Sequence, residues 1–268
     1  MIKGFRCCCG DTVPFAQCLE RSRTHPDDCP FVYPILQGMV NGIRGEVEGI
    51  SVTSMLNCLR KVVLEKRHDV YIDPKQLFYA FRGQMFHAIA ELAQPDGCIA
   101  EQRYARQIAG LTISGQPDLI WPAHRLLIDF KTTRRVPQKD VYPHHALQVN
   151  IYRWLVEPLY PVDLLEIVYM DMDGAKRMPA PIMDRRKVTA TLVARARVLK
   201  TALDGGLLPD RVDAEGLWQC SWCAFPDKCW PKGIPTRQQL EDSKQAKVRA
   251  INHARTEATE ATEAKEVA

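Results

Sequence analysis

The text Ser114-Gly-Gln-Pro-Asp118-Leu-Ile-Trp121, followed after a short turn by Leu126-Leu-Ile-Asp129-Phe-Lys131-Thr132, constrains the fold of this chain more than any other stretch. Both segments read as apolar strands, and Pro122-Ala-His-Arg125 between them is turn text, so together they predict a hairpin. Side chains two apart in a strand share a face. Asp129 and Lys131 therefore project together while Phe130 points to the opposite, buried side, and Asp118 lies on the neighbouring strand. Two carboxylates and a lysine on an apolar hairpin are costly to desolvate unless each has a partner or a metal. An Asp-x-Lys taken alone is usually a surface ion pair, so the surroundings must decide.

Those surroundings order themselves along the chain. A helix is predicted from Ser51, capped by Ser51 or Thr53, with Met55, Leu56, Leu59, Val62 and Val63 as its apolar face and Cys58 on it. A second spans 74–93, with Leu77, Phe78, Phe81, Met85, Ile89 and Leu92 on one stripe and Gly83, His87 and Glu91 four apart on another. Strand-like text follows at 100–108, 111–121 and 126–132 and predicts an antiparallel meander. A helix over 144–156 puts Gln148 and Tyr152 on one face. It leads to a strand at 164–172 and a capped helix over 184–203 that Gly205-Gly206 ends. This order predicts an α/β (α+β) fold, one mixed central sheet flanked by helices.

Composition fits a soluble globular chain: 46% apolar and 25% charged residues exclude collagen, long coiled coil and wholesale disorder. No apolar run approaches the roughly 18 residues of a membrane helix. The opening Met1-Ile-Lys-Gly-Phe-Arg-Cys7 lacks a signal-peptide core, so the expectation is a cytoplasmic protein with no membrane partner. A net charge of +4 permits nucleic-acid binding but does not argue for it alone. Ten cysteines in a reducing compartment read as metal ligands where tightly spaced. Cys7, Cys8, Cys9, Cys18 and Cys29 crowd the first segment, 1–46, which reads as a small metal-stapled unit or irregular lead-in. Cys220, Cys223 and Cys229 end the main domain, 47–234, and 235–268 is a charged tail expected to be mobile.

Gly115-Gln-Pro-Asp118 with Asp129-Phe-Lys131 resembles the PD-(D/E)xK nuclease superfamily, in which an acid on one strand precedes (D/E)-x-K on the next. Two further elements resemble its RecB-like branch: Gly83-Gln-Met-Phe-His87 on the upstream helix and Gln148-Val-Asn-Ile-Tyr152 on the downstream one. The resemblance implies a restriction-endonuclease-like fold and a metal-dependent DNA nuclease. It implies His87, Asp118 and Asp129 as ligands of Mg²⁺ or Mn²⁺ and Lys131 as the group that positions or polarises the nucleophile, with Gln148 and Tyr152 contacting DNA or supporting the lysine. Glu91 and Glu101 rank below these as additional ligands, and His144 and His145 stand where they can approach the scissile phosphate.

Cys220-x2-Cys223-x5-Cys229 supplies three thiolates, and either tetrahedral zinc or a cubane iron-sulfur cluster needs a fourth ligand. Here the chain resembles the iron-sulfur RecB-like nucleases, the group of AddB and the CRISPR-associated exonucleases, where one upstream cysteine joins three downstream. Cys58 matches that position, which implies a structural 4Fe-4S cluster joining the two ends of the domain. Zinc in its place is the alternative. Cys7, Cys9, Cys18 and Cys29 form a candidate zinc site, with non-ligating thiols the competing reading. The substrate implied is DNA with single strands or free ends, contacted by Arg134, Arg135 and Lys139, with a helicase or CRISPR integration machinery as partner. The rival from another class is a non-cleaving DNA-binding or interaction module of the same fold.

Overall fold

The computed structural model describes residues 2–7, 10–25, 29–43, 45, 49–92, 95–246 and 248–249, with the backbone alone at 89–91. Cys8, Cys9 and the tail from 250 onward lie outside the described residues, as does the side chain of Glu91. The chain divides into two compact units, Met1–Pro209 and Asp210–Ala268.

The first unit begins with β1 (Ile2–Arg6), β2 (Thr12–Pro14), α1 (Phe15–Thr24) and α2 (Tyr33–Asn41), followed by β3 (Ile50–Ser51), α3 (Val52–Leu56), α4 (Leu59–Arg67), β4 (Val70–Ile72) and α5 (Pro74–Leu92). The first forty residues are not an irregular lead-in. β1 pairs antiparallel with β2 and parallel with β4, and Phe5, Leu36 and Met39 are fully buried together with Leu77 of α5. The apolar stripe on α5 explains this layer: its N-terminal half, Leu77, Phe78 and Phe81, packs into it. The C-terminal half runs out of cover, and Met85 is 42% and Leu92 89% exposed. Gly38 permits the approach, since a Cβ there would stand 3.0 Å from the Phe81 ring.

The expected meander is divided. β5 (Ile99–Ala100), β6 (Tyr104–Ile108), β7 (Leu111–Gly115), β8 (Leu119–Trp121) and β9 (Leu126–Thr132) follow in order, but β6 and β7 join β3 in a three-stranded sheet while β5, β8 and β9 enter another. Pro117 marks the break: it donates no hydrogen bond and holds Gln116 away from helical backbone, so the chain leaves one sheet and enters the next there. The second sheet is completed by β10 (Leu164–Met170), parallel to β9, and by β11 (Ala175–Pro179), antiparallel to β10, giving the order β11-β10-β9-β8-β5. The mixed sheet flanked by helices is present, with two smaller sheets beside it.

α6 (Pro143–Val156) crosses from β9 to β10, and both of its sides are covered. Ala146, Gln148, Val149, Asn150, Ile151, Tyr152, Trp154, Leu155 and Val156 are all buried. α7 (Arg185–Leu203), capped by the Asp184 side chain accepting from Lys187 N, covers α6, α3 and α4 with Val188, Leu192, Ala196 and Leu199.

The helix expected from Ser51 is two helices. Ser51 caps α3 by accepting from Ser54 N, but the backbone turns extended at Asn57 and restarts at Cys58, the N-cap of α4. The Arg195 guanidinium of α7 donates to the carbonyls of Met55 and Asn57, satisfying groups that a continuous helix would have used itself. In the second unit a 3-10 helix at Leu217–Trp222 precedes α8 (Pro226–Cys229), with Phe225 and Cys229 buried. Residues 237–246 of the expected tail are helical. Among the described residues no helix is long and apolar enough to cross a membrane.

Arg195→Ala leaves the break between α3 and α4 without its donors, so the free energy of unfolding falls by about 2–3 kcal/mol. Arg197→Ala, exposed on the same helix, changes it by less than about 0.5 kcal/mol. Urea titration of both variants measures the difference.

Candidate active site

β9 sets the centre of the site. Its parallel pairing with β10 places Asp129 opposite Ile167 and Lys131 opposite Tyr169, so the two charged groups share one face as the strand period requires. Asp129 is 1% exposed, and its Oδ2 lies 2.6 Å from Lys131 Nζ. Its Oδ1 is buried with no hydrogen-bond partner among the described residues. Phe130, expected on a fully buried face, is half-buried and sets its ring edge-on to the His87 imidazole at 6.3 Å.

Asp118 stands where the chain enters the second sheet. Its Oδ2 accepts from Phe130 N, and its Oδ1 is 3.1 Å from His87 Nδ1. Glu101, ranked below the other acids from sequence, reaches the same imidazole nitrogen at 3.0 Å. It follows β5 with φ of 51°, a left-handed backbone uncommon outside glycine, and its N donates to the Asp118 carbonyl. Gln116 Nε2 donates to Glu101 Oε2, and Arg103 donates to Gln116 Oε1 and to Ser114 Oγ, so each acid is oriented by a further neighbour. The His87, Glu101 and Asp118 ligand atoms all lie within 4.8 Å of one another. That set of one imidazole and carboxylate oxygens is the donor chemistry that Mg²⁺ or Mn²⁺ takes; Asp129, a candidate ligand from sequence, is not among the atoms that converge within 4.8 Å.

The charges interlock. Hydrogen bonds first to Asp118 and then to Glu101 raise the His87 pKa to about 10, so the imidazolium bridges the two acids. Burial raises Asp129 to about 6 against the pull of Lys131. Burial alone would lower the Lys131 pKa, but Asp129 and Asp118 outweigh it and hold the ammonium above its ordinary value.

Gln148 and Tyr152, one turn apart on α6, are joined by a 2.9 Å hydrogen bond from Gln148 Nε2 to Tyr152 Oη, and both are buried. Burial raises the Tyr152 pKa to about 12, so it remains a phenol within the field of Lys131. Gly115 admits the ring, since a Cβ there would lie 2.7 Å from Tyr152 Cε1. His145 Nδ1 lies 3.0 Å from Tyr169 Oη, and burial, with Lys131 nearby, lowers its pKa to about 2.

Arg134, Arg135 and Lys139 are exposed after β9, and Arg134 donates to Tyr79 Oη and lies over the Tyr79 ring. Cys58 sits at the break between α3 and α4. In the second unit Cys220, Cys223 and Cys229 fall on the 3-10 helix, just after it, and on α8, with Phe225 N donating to Cys223 Sγ. Cys7, Cys18 and Cys29 line one cavity of about 320 Å³ in the N-terminal layer, while Cys9 lies outside the described residues.

Comparison with protein families matches residues 84–230, just over half of the chain, to the PD-(D/E)XK nuclease superfamily. The chain belongs to that superfamily. The matched range holds His87, Glu101, Asp118, Asp129, Lys131, Gln148 and Tyr152. No curated protein matches the chain significantly. Among solved structures, SSO0001 is similar in fold, with a TM-score of 0.54 and 21% identity over 71% of this chain and 91% of that one. A phage-related exonuclease from Haemophilus somnus aligns with a TM-score of 0.42 and 10% identity, over 60% of this chain and 96% of that one.

The imidazolium bridge gives this superfamily member a pH signature when metal is stripped by EDTA. A histidine whose folded pKa, about 10, lies above its unfolded value near 6.5 adds stability below pH 6.5 that is lost as pH rises toward 10. The urea midpoint therefore falls across that window. His87→Gln, which cannot titrate, flattens the fall, and an unchanged slope in that variant removes His87 as its source.

Proposed function

We propose that the chain is a Mg²⁺- or Mn²⁺-dependent deoxyribonuclease that hydrolyses phosphodiester bonds in single strands or at free ends. The observation that carries this reading is Asp129, buried with one oxygen on Lys131 and the other without a hydrogen-bond partner, beside the His87, Glu101 and Asp118 cluster. Those four residues would hold the cation, which when bound stabilises charge on the phosphate and lowers the pKa of a bound water. Superfamily membership supports the reaction class.

The chain's own residues do the rest. Lys131 stays charged beside Asp129, so it orients the attacking water and neutralises phosphate charge rather than abstracting a proton. Gln148 and Tyr152 keep the lysine end of the cleft dry and fixed. Arg134, Arg135 and Lys139 supply cations for the flanking backbone phosphates. DNA would arrive unwound, from a helicase or CRISPR integration machinery as partner.

We further propose that Cys58, Cys220, Cys223 and Cys229 hold a structural 4Fe-4S cluster, supported by the Cys-x2-Cys-x5-Cys spacing and by the N–H to sulfur bond at Cys223, which favours a thiolate. Brown protein with broad absorption near roughly 400 nm is expected; colourless protein carrying zinc assigns that metal to these thiolates instead. A zinc ion held by Cys7, Cys9, Cys18 and Cys29 is proposed as well, supported by Cys7, Cys18 and Cys29 lining one N-terminal cavity.

Single-stranded DNA labelled separately at each end tests the reaction. Cutting with Mg²⁺ or Mn²⁺, none in EDTA, and a loss of about a thousandfold or more in Lys131→Ala and Asp129→Ala are expected, with DNA binding by Lys131→Ala kept. Equal inactivity of wild type and variants, with DNA still bound, would make the chain a non-cleaving module.

A further inference from the structure

Beside Lys131, at the N-terminus of α6, stands an exposed aromatic surface that the chemistry above does not use. Tyr142 is 38% exposed, and its ring is parallel-stacked on His144 at 5.8 Å and 20°. It also meets His145 and Tyr169 edge-on, each at 5.7 Å. The backbone is fixed as well. Pro143 restricts Tyr142 to the extended conformation it adopts, φ −61° and ψ 134°, and Tyr142 N donates to Tyr169 Oη at 3.0 Å.

Tyr169 locks the group from below. Its Oη accepts from Tyr142 N and lies within hydrogen-bond distance of His145 Nδ1, 3.0 Å away, so one phenol ties together the backbone of Tyr142 and the ring of His145. Burial favours the neutral form of His145, whose ring meets Tyr142 edge-on. Tyr169 is the register partner of Lys131 in the β9–β10 pair, and Tyr142 meets the Tyr169 ring at 5.7 Å, which sets the surface beside the Lys131 position of the sheet. A helix start needs only the Tyr-Pro backbone. It does not need an exposed phenol held on three sides, and a rigid aromatic face beside a cation is the arrangement that stacks a nucleobase whose phosphate the cation neutralises.

We propose that Tyr142, backed by His144, is a stacking platform for one unpaired base next to the phosphate at Lys131, and that it sets the preference for unpaired over duplex DNA. This rests on the nuclease reading for its substrate. A paired base has both faces covered within the duplex stack, whereas an unpaired one offers a free face without the cost of extrusion.

The experiment is binding of the full chain, in EDTA so that no strand is cut, to single-stranded oligonucleotides carrying 2-aminopurine at successive positions, with a blunt duplex in parallel. One position is expected to lose fluorescence on binding to wild type and to Tyr142→Phe. Tyr142→Leu, which keeps apolar bulk but has no π face, loses that signal and binds the single strand about tenfold or more weakly, with duplex binding unchanged. If Tyr142→Leu keeps both the affinity and the quenching, the platform is wrong. DNA bound and quenched but never cut when Mg²⁺ is restored leaves the platform and removes the nuclease; a wild type that binds no single strand removes both.

Discussion

A buried ion pair fixes the centre of this molecule. Asp129 and Lys131 lie 2.6 Å apart with the acid 1% exposed, and removing the lysine alone would strand the carboxylate charge out of water. The register of β9 follows from it. A slip by one residue would turn Phe130 into the site and both charges into the sheet's apolar face, so pairing to β8 on one side and β10 on the other must hold. The burial of α6 on both sides encloses the pair, and a side chain at Gly115 of β7 would push Tyr152 of that helix away. Fold and site are thus one problem: the strand cannot pair correctly unless the charges are where the helices enclose them.

What could be read from residue order is what depends on local period. Asp129 and Lys131 were legible because strands alternate, and α5, α6 and α7 because their apolar residues recur at helical spacing. The rest depended on distant partners. Glu101 enters the cluster through a left-handed backbone and the pairing of a two-residue strand with β8, neither of which its neighbours announce. The helix from Ser51 breaks because Arg195, on α7, takes its carbonyls. β11 was invisible for another reason: Ala175-Lys-Arg-Met-Pro179 is an edge strand with four of its five residues exposed, so it has no apolar alternation to show.

The N-terminal layer shows the same limit. Its cysteines drew attention to metal, yet what orders the described part of the layer is the small core of Phe5, Leu36 and Met39 closed by Leu77. α5 therefore serves two masters, with its first half as the wall of that core and its second half carrying His87 to the acids. A long helix anchored at one end is a stiff arm, and its His87 end is positioned by the hydrogen bonds to Glu101 and Asp118 and by the edge-on Phe130 ring.

Those hydrogen bonds define a charge balance. Glu101, Asp118 and Asp129 bring −3 when ionised, while Lys131 and the imidazolium of His87 bring +2, leaving −1. Once His87 gives up its proton the balance is −2, which one divalent cation neutralises in full. The proton on His87 and the proposed cation then serve the same electrostatic end, each offsetting the same acids, and they compete. Binding of the proposed cation would accordingly release a proton. Below a pH of about 10 the imidazolium holds the acids and the proposed cation would have to displace it, more easily as pH rises, so the histidine that stabilises the metal-free fold would also set the pH at which the site is loaded.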